Sequence, residues 1–119
     1  MKTKNAIYDK SFNFAISIVK LYKYLKENKE EYIMSKQLMR SGTSIGANVS
    51  EAIQGQSRRD FVHKLQISLK EAYESKYWIN LLTETGYLSK IEEKKLLDNL
   101  LEIIKLLVSI INTTKKDLE

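Results

Sequence analysis

The chain has 119 residues, no cysteine or proline, only four glycines, and a formal net charge of +5. This length suits one domain around a single hydrophobic core, so we expect residues 1–119 to form one domain. The absence of cysteine excludes disulfide frameworks and thiolate metal sites. The scarcity of Pro and Gly predicts long, uninterrupted helices.

Two features of the apolar patterning bear on location. The amino-terminal residues include lysines, but no apolar run long enough for a secretory signal follows them. The richest apolar segment, residues 96–111, is interrupted by Asp98, Asn99, Glu102 and Lys105. We therefore expect a cytoplasmic protein with no membrane-spanning helix.

The first predicted helix covers about Lys10–Glu27 and carries two neighbouring apolar stripes. Together they span about 200°, which is wider than the apolar face of an ordinary surface helix. One stripe facing the bundle and the other facing a neighbouring subunit explains this width. Alternatively, Phe14 and Tyr22 lie at the margins of a single core face. The first stripe comprises Phe12, Ala15, Ile16, Val19 and Tyr22, and the second comprises Phe14, Ile18, Leu21 and Leu25.

The second predicted helix covers about Lys36–Gln54, with Ser35 as its N-cap. It is rich in small residues, and Gly42 and Gly46 are spaced i, i+4. Small residues at this spacing let two helices approach closely, which offsets the poor helix propensity of glycine. The alternative is a weak, kinked helix. Residues that recur at alternating steps of four and three form the seam of packed helices. In this helix they are Leu38, Gly42, Ile45, Val49 and Ala52.

The third and fourth helices have clear boundary signals. Ser57 and Asp60 resemble a capping box that opens a helix over about Arg58–Thr85, and Gly86 suits the position after its end. Ser89 and Glu92 form an S-x-x-E capping box for a helix that ends near Thr114. The third helix has one apolar face that includes Phe61, Leu65, Leu69, Ala72 and Ile79 and is broadened by Val62, Tyr73, Tyr77 and Trp78.

Four helices joined by short connections predict an all-α fold, an antiparallel up-down-up-down four-helix bundle. The run from Gln37 to Leu82 also resembles the bacterial family of 23S rRNA intervening-sequence proteins, sometimes called S23 ribosomal proteins. The residues that carry the resemblance are Gln37, Leu38, Arg40, Ser41, Ser44, Ile45, Ala47, Asn48, Glu51, Ala52, Ser57, Asp60, Phe61, Leu65, Glu71, Glu74, Tyr77 and Trp78.

The resemblance implies a homo-oligomer, a ring of five bundles. It also points to related accessory proteins of diversity-generating retroelements, which are basic and bind nucleic acid. Family likeness carries fold and assembly further than it carries molecular function.

Catalysis has little support in the sequence. The single histidine, His63, lies three residues after Asp60, whereas a di-iron bundle needs two carboxylate-x-x-His units and two further glutamates. There is no nucleophile elbow and no phosphate-binding loop after a strand. We therefore expect a protein that is not an enzyme and that needs no cofactor or metal.

Polar residues on the second and third helices need another explanation. We interpret Arg40, Asn48 and Glu51, with Glu71 and Glu74, as a structural polar network between these helices, because such groups need partners and can fix register. The functional alternative is that they line a subunit interface or the channel of a ring.

The charge distribution suggests nucleic acid, RNA or DNA, as a partner. Lysines interleaved with a tyrosine offer phosphate contacts together with base stacking. The alternative is ordinary solubilising charge, and a rival function is a protein-binding scaffold that never contacts nucleic acid. The candidate contacts are Lys20, Lys23, Tyr24 and Lys26 on the first helix and Arg58, Arg59 and Lys64 on the third.

Overall fold

The computed structural model describes the backbone of residues 2–118 and the side chains of residues 6–118. Its four helices are α1 (Lys2–Lys29), α2 (Met34–Ile53), α3 (Arg58–Glu84) and α4 (Lys90–Leu118). Successive helices pack side by side, and α4 contacts α1 to close a bundle of 48 × 21 × 20 Å. The predicted all-α, up-down-up-down four-helix bundle is confirmed.

The boundaries of α3 and α4 follow the predicted signals. The Ser57 hydroxyl accepts a hydrogen bond from the Asp60 amide, and Gly86 takes a φ of +88° just after α3. The amides of Gly86 and Tyr87 donate to the carbonyls of Thr83 and Leu82, which is the Schellman pattern of a helix end. At the start of α4, the Ser89 hydroxyl accepts a hydrogen bond from the Glu92 amide at 3.0 Å, and the Glu92 carboxylate accepts one from the Ser89 amide at 2.9 Å.

The predicted N-cap of α2 is wrong. The helix begins at Met34, so Ser35 is already helical, and its hydroxyl donates to the Glu31 carbonyl at 2.8 Å. The Glu31 carboxylate caps the helix instead, accepting from the amides of Ile33, Met34 and Ser35 at 3.0, 3.0 and 2.7 Å. A longer side chain placed before the helix thus satisfies three amides that a serine could not reach together.

The two apolar stripes of α1 have different environments. The second stripe faces the core, where Phe14, Ile18 and Leu25 are at most 2% exposed. In the first stripe, Phe12 and Ile16 are 52% and 40% exposed. Phe14 is therefore a core residue and not a marginal one. The helix begins well before Lys10 because Ile7 extends the buried stripe, and α4 likewise continues past Thr114 to Leu118.

The small residues of α2 allow close approach to α1. A Cβ added to Gly42 would lie 3.0 Å from the side chain of Ile18, and one added to Gly46 would lie 3.3 Å from the Ser11 carbonyl oxygen. The five predicted seam residues are buried: Leu38, Gly42, Ile45, Val49 and Ala52. The close-packing interpretation of this run is supported by these contacts.

On its other side, α2 meets α3 through serine hydroxyls. Ser68 donates to the Ile45 carbonyl at 2.8 Å, and the Ser75 hydroxyl lies 2.9 Å both from the Ser41 hydroxyl and from the Glu71 carbonyl oxygen of its own helix. Tyr73 and Tyr77, predicted to broaden the α3 core face, are instead 53% and 59% exposed. Within the described part of the chain, no helix is long and apolar enough to cross a bilayer.

Candidate nucleic-acid interface

The candidate contacts on α1 lie on its outer side. Lys20, Lys23 and Tyr24 are exposed, and they lie away from the buried stripe through Ile18 and Leu25. The Lys26 ammonium lies 5.7 Å from the ring centroid of Tyr22 on the same helix, a cation–π distance. Lys20 and Lys23 make no ion pair with any side chain described, so both charges are available to a phosphate.

The candidates at the start of α3 are more engaged. Arg58 pairs with Asp117 of α4 at 3.2 Å, and Lys64 pairs with Glu51 of α2 at 3.1 Å. Both ion pairs lie at the surface, where such pairs are weak, so each cation can exchange its carboxylate for another partner. Arg59 is exposed and has no carboxylate within ion-pair distance among the side chains of residues 6–118. It is therefore the one cation of the three that no described carboxylate neutralises.

The bundle does not bring these two groups together. Ser11 of α1 lies beside Gly46 of the antiparallel α2. From this level Lys20 is nine residues further along α1, and the end of α2 at Ile53 is seven residues away in the opposite direction. At about 1.5 Å per residue, Lys20 lies roughly 24 Å along the bundle from the turn that carries Arg58. The predicted residues therefore form two separate basic areas on one subunit.

Three members of the predicted polar network do meet. The Arg40 guanidinium donates to both oxygens of Glu71, at 3.3 and 3.4 Å, and to Glu74. Glu74 also accepts from the indole of Trp78 at 3.1 Å. The hydrogen bond from Arg40, and then that from Trp78, lower the pKa of Glu74, and the Glu74 hydrogen bond raises the pKa of Arg40. The cluster is a half-exposed clamp across the α2–α3 seam.

The other two predicted members lie elsewhere. The Asn48 amide donates to the Ser44 carbonyl one turn earlier in α2, at 2.8 Å. Glu51 is 60% exposed at its side chain and pairs with Lys64. The structure thus divides the five residues into one clamp, one local helix contact and one surface ion pair.

Several surface features were not predicted as sites. Tyr8 and Phe12 stack at a centroid distance of 5.9 Å on the outer side of α1, and Ile16 continues this exposed strip. On α3, Tyr77 meets Trp78 edge-on at 5.0 Å and leaves much of its ring in solvent. On α1 the width of the apolar pattern predicted a second stripe facing outward, without saying which of the two stripes it is. On α3 the periodicity placed Tyr77 in a widened core face, so it did not reveal the exposed surface there.

No group of three or more His, Asp or Glu side chains within the described residues is arranged to hold a metal ion. His63 is exposed on the outer side of α3. The molecule is an antiparallel four-helix bundle whose outer sides, on α1 and α3, carry exposed basic and aromatic side chains.

Comparisons with known proteins agree with this architecture. The model of the family described as 23S rRNA-intervening sequence protein matches residues 3–109. A crystal structure of a protein of unknown function from the S23 ribosomal protein family of Bacteroides thetaiotaomicron VPI-5482 is similar, with 51% identity and a TM-score of 0.91 over 92% of this chain and 98% of that one. No curated protein matches the chain. The chain belongs to the 23S rRNA-intervening sequence protein family, and the resemblance seen in the sequence is confirmed.

Proposed function

We propose that the protein is a non-enzymatic, nucleic-acid-binding accessory factor that acts as a homo-oligomer. The observation that carries the binding proposal is the pair of unneutralised lysines, Lys20 and Lys23, beside the exposed Tyr24 on α1. Ammonium groups without acidic partners attract phosphates, and an adjacent ring offers a face to a base.

Self-association is supported by the outer strip of α1. Tyr8, Phe12 and Ile16 expose 39%, 52% and 40% of their surfaces along one line of the helix. An exposed apolar strip of this kind favours a contact with another subunit. A ring of five, which family resemblance implies, would repeat each basic area and strengthen weak binding through avidity.

The binding proposal is tested by fluorescence anisotropy with labelled RNA and DNA across a salt series. We expect binding at low salt that weakens as salt rises, and we expect K20Q/K23Q to weaken it further. The matched control is K90Q/K94Q, since both of those lysines already pair with acids on the protein. Absence of binding at low salt, or equal behaviour of the two variants, would contradict the proposal.

The assembly proposal is tested by light scattering. We expect F12Q/I16Q to lower the solution mass, whereas I91Q, at an isolated residue that is 83% exposed, leaves it unchanged. A wild-type mass equal to one chain would contradict it. If partner proteins are captured in the presence of nuclease while anisotropy stays flat, the protein is a scaffold for proteins instead.

A further inference from the structure

The outer side of α3 carries one continuous row of exposed residues with a distinctive chemistry. Its members recur at alternating steps of four and three, so they share one line of the helix. From first to last the row extends about 27 Å at 1.5 Å per residue. This line of residues, the α3 row, consists of Arg59, His63, Gln66, Lys70, Tyr73 and Tyr77, all exposed.

The α3 row contains no acidic residue, although α3 has acids elsewhere. Glu71 and Glu74 turn toward α2, where Arg40 holds both. The next acid in line with the row is Glu84, two turns beyond Tyr77. The helix therefore holds Glu71 and Glu74 at its seam with α2, where Glu74 also interacts electrostatically with Lys70. Cations, hydrogen-bonding groups and phenol rings make up the row itself.

The two halves of the α3 row suit different parts of one ligand. Arg59 and Lys70 supply charge for phosphates, whereas Tyr73 and Tyr77 leave 53% and 59% of their surfaces open. Tyr73 also borders a groove of about 270 Å³ between α3 and α4, which is lined by Leu97 and Leu101 and flanked by Lys76 and by Asp98, whose carboxylate pairs with Lys94. Exposed rings beside cations are the combination that binds single-stranded nucleic acid through stacking.

A duplex fits this surface poorly. Its bases are already stacked and offer no faces to Tyr73 and Tyr77. The surface therefore matches an unpaired strand and not a double helix.

We propose that the α3 row binds single-stranded nucleic acid, with phosphates along Arg59 and Lys70 and bases stacked on Tyr73 and Tyr77. This inference rests on the proposed nucleic-acid function and specifies the surface and the strandedness. It adds a stacking surface on α3 to the one that Tyr24 offers beside Lys20 and Lys23 on α1.

The test is anisotropy with a labelled single-stranded oligonucleotide and with its duplex, using the intact protein. We expect Y73A/Y77A to weaken single-strand binding at least about tenfold, whereas Y73F/Y77F, which keeps both rings, binds like the wild type. The control is Y32A, which removes a tyrosine that is 53% exposed in the α1–α2 connection. We expect R59Q/K70Q to reduce the salt slope by about 0.7 for each phosphate that the protein no longer neutralises.

The chain provides an internal reporter. Trp78 is the only tryptophan, and its ring lies 5.0 Å from that of Tyr77. We expect saturation with the oligonucleotide to change its emission, and unchanged emission at saturation would overturn the placement of a base on Tyr77.

The outcomes separate the two proposals. If the wild type binds no nucleic acid at low salt, the proposed function fails and this inference fails with it. If the wild type binds but Y73A/Y77A binds equally well, or the duplex binds as tightly as the single strand, only this inference fails. If Y73A/Y77A lowers the mass in light scattering, the α3 row is a contact between copies of the chain, and the inference is overturned.

Discussion

The two seams of α2 differ in how they bring helices together. Toward α1, contact depends on the absence of side chains, because Gly42 and Gly46 lie against Ile18 and the backbone of Ser11. Toward α3, contact depends on buried hydroxyls, with Ser68 bonded to the Ile45 carbonyl and Ser75 bonded to Ser41.

The difference shows why one helix carries so many small residues. Glycine permits close approach but fixes no register, since it offers no directional contact. A serine that donates across a seam, as Ser68 does to the Ile45 carbonyl, specifies which turn meets which, because a hydrogen bond has a narrow geometry. The α1 seam should therefore be sensitive to added volume, and the α3 seam to the removal of polar groups.

Filling the glycine seam should have the largest effect. G42L places a side chain where even a Cβ lies 3.0 Å from Ile18, and overpacking of this kind costs about 1–3 kcal/mol in the free energy of unfolding. The measurement is urea unfolding followed by circular dichroism. The control is A47L at an exposed position of the same helix; equal stability of the two variants would refute the close-packing account.

Removing the cap of α2 should come next, because both seams depend on where this helix begins. Burial alone raises the pKa of Glu31, but the hydrogen bonds from Ser35, Met34 and Ile33 outweigh it and lower the pKa. Replacing a helix-capping side chain by alanine costs about 0.5–2 kcal/mol. E31Q keeps one acceptor oxygen but loses the negative charge and the second oxygen, which accepts from Ser35, so we expect it to lower the free energy of unfolding within that range at neutral pH.

The pH dependence of this effect follows from the direction of the shift. A carboxyl whose pKa is lowered in the folded state stabilises the protein fully at pH values above its unfolded-state pKa of 4.5. That contribution is lost as the pH falls from there through the pKa of the folded state. The gap between wild type and E31Q should therefore narrow as the solution is acidified below 4.5. The comparison variant is E30Q, an exposed neighbour; a gap independent of pH would rule out the carboxylate as the cap.

A smaller loss is expected in the serine seam. S68A removes one hydrogen bond to the Ile45 carbonyl while keeping the helix propensity high, so the cost should be about 0.5–1.5 kcal/mol. Thermal unfolding of S68A beside S109A, which alters an exposed serine of α4, isolates the seam contribution. A variant as stable as S109A would show that this hydroxyl does not hold the register.

The sequence predicted the four helices because their boundary signals are local. Ser57, Ser89 and Gly86 each act within one turn of the residue that they cap, so spacing alone identified them. The cap of α2 was missed because a glutamate reaches forward from outside the helix, and no short motif requires this.

The outer surfaces were harder to predict for a different reason. Phe12, Ile16, Tyr73 and Tyr77 are apolar residues next to a true core stripe, and periodicity cannot say which of two adjacent stripes is buried. Only the packing of neighbouring helices decides this. The clamp of Arg40 with Glu71 and Glu74 was foreseeable as a cluster, whereas the separate placement of Asn48 and Glu51 depends on the rotation of α2 against α3.

Removal of the clamp that Arg40 forms with Glu71 and Glu74 across the α2–α3 seam should have the smallest effect on the free energy of unfolding. Arg40 keeps 50% of its side-chain surface in solvent, and exposed ion pairs contribute about 0–1 kcal/mol. We expect the free energy of unfolding of R40Q to lie within that range of the wild-type value. The substitution also frees Glu71 and Glu74 beside the α3 row.

The uncovered negative charge should weaken binding of a single-stranded oligonucleotide, whereas R40Q/E71Q/E74Q, which removes the acids as well, should restore it. Anisotropy at low salt measures both variants, and equal affinities would mean that the clamp does not shield the α3 row.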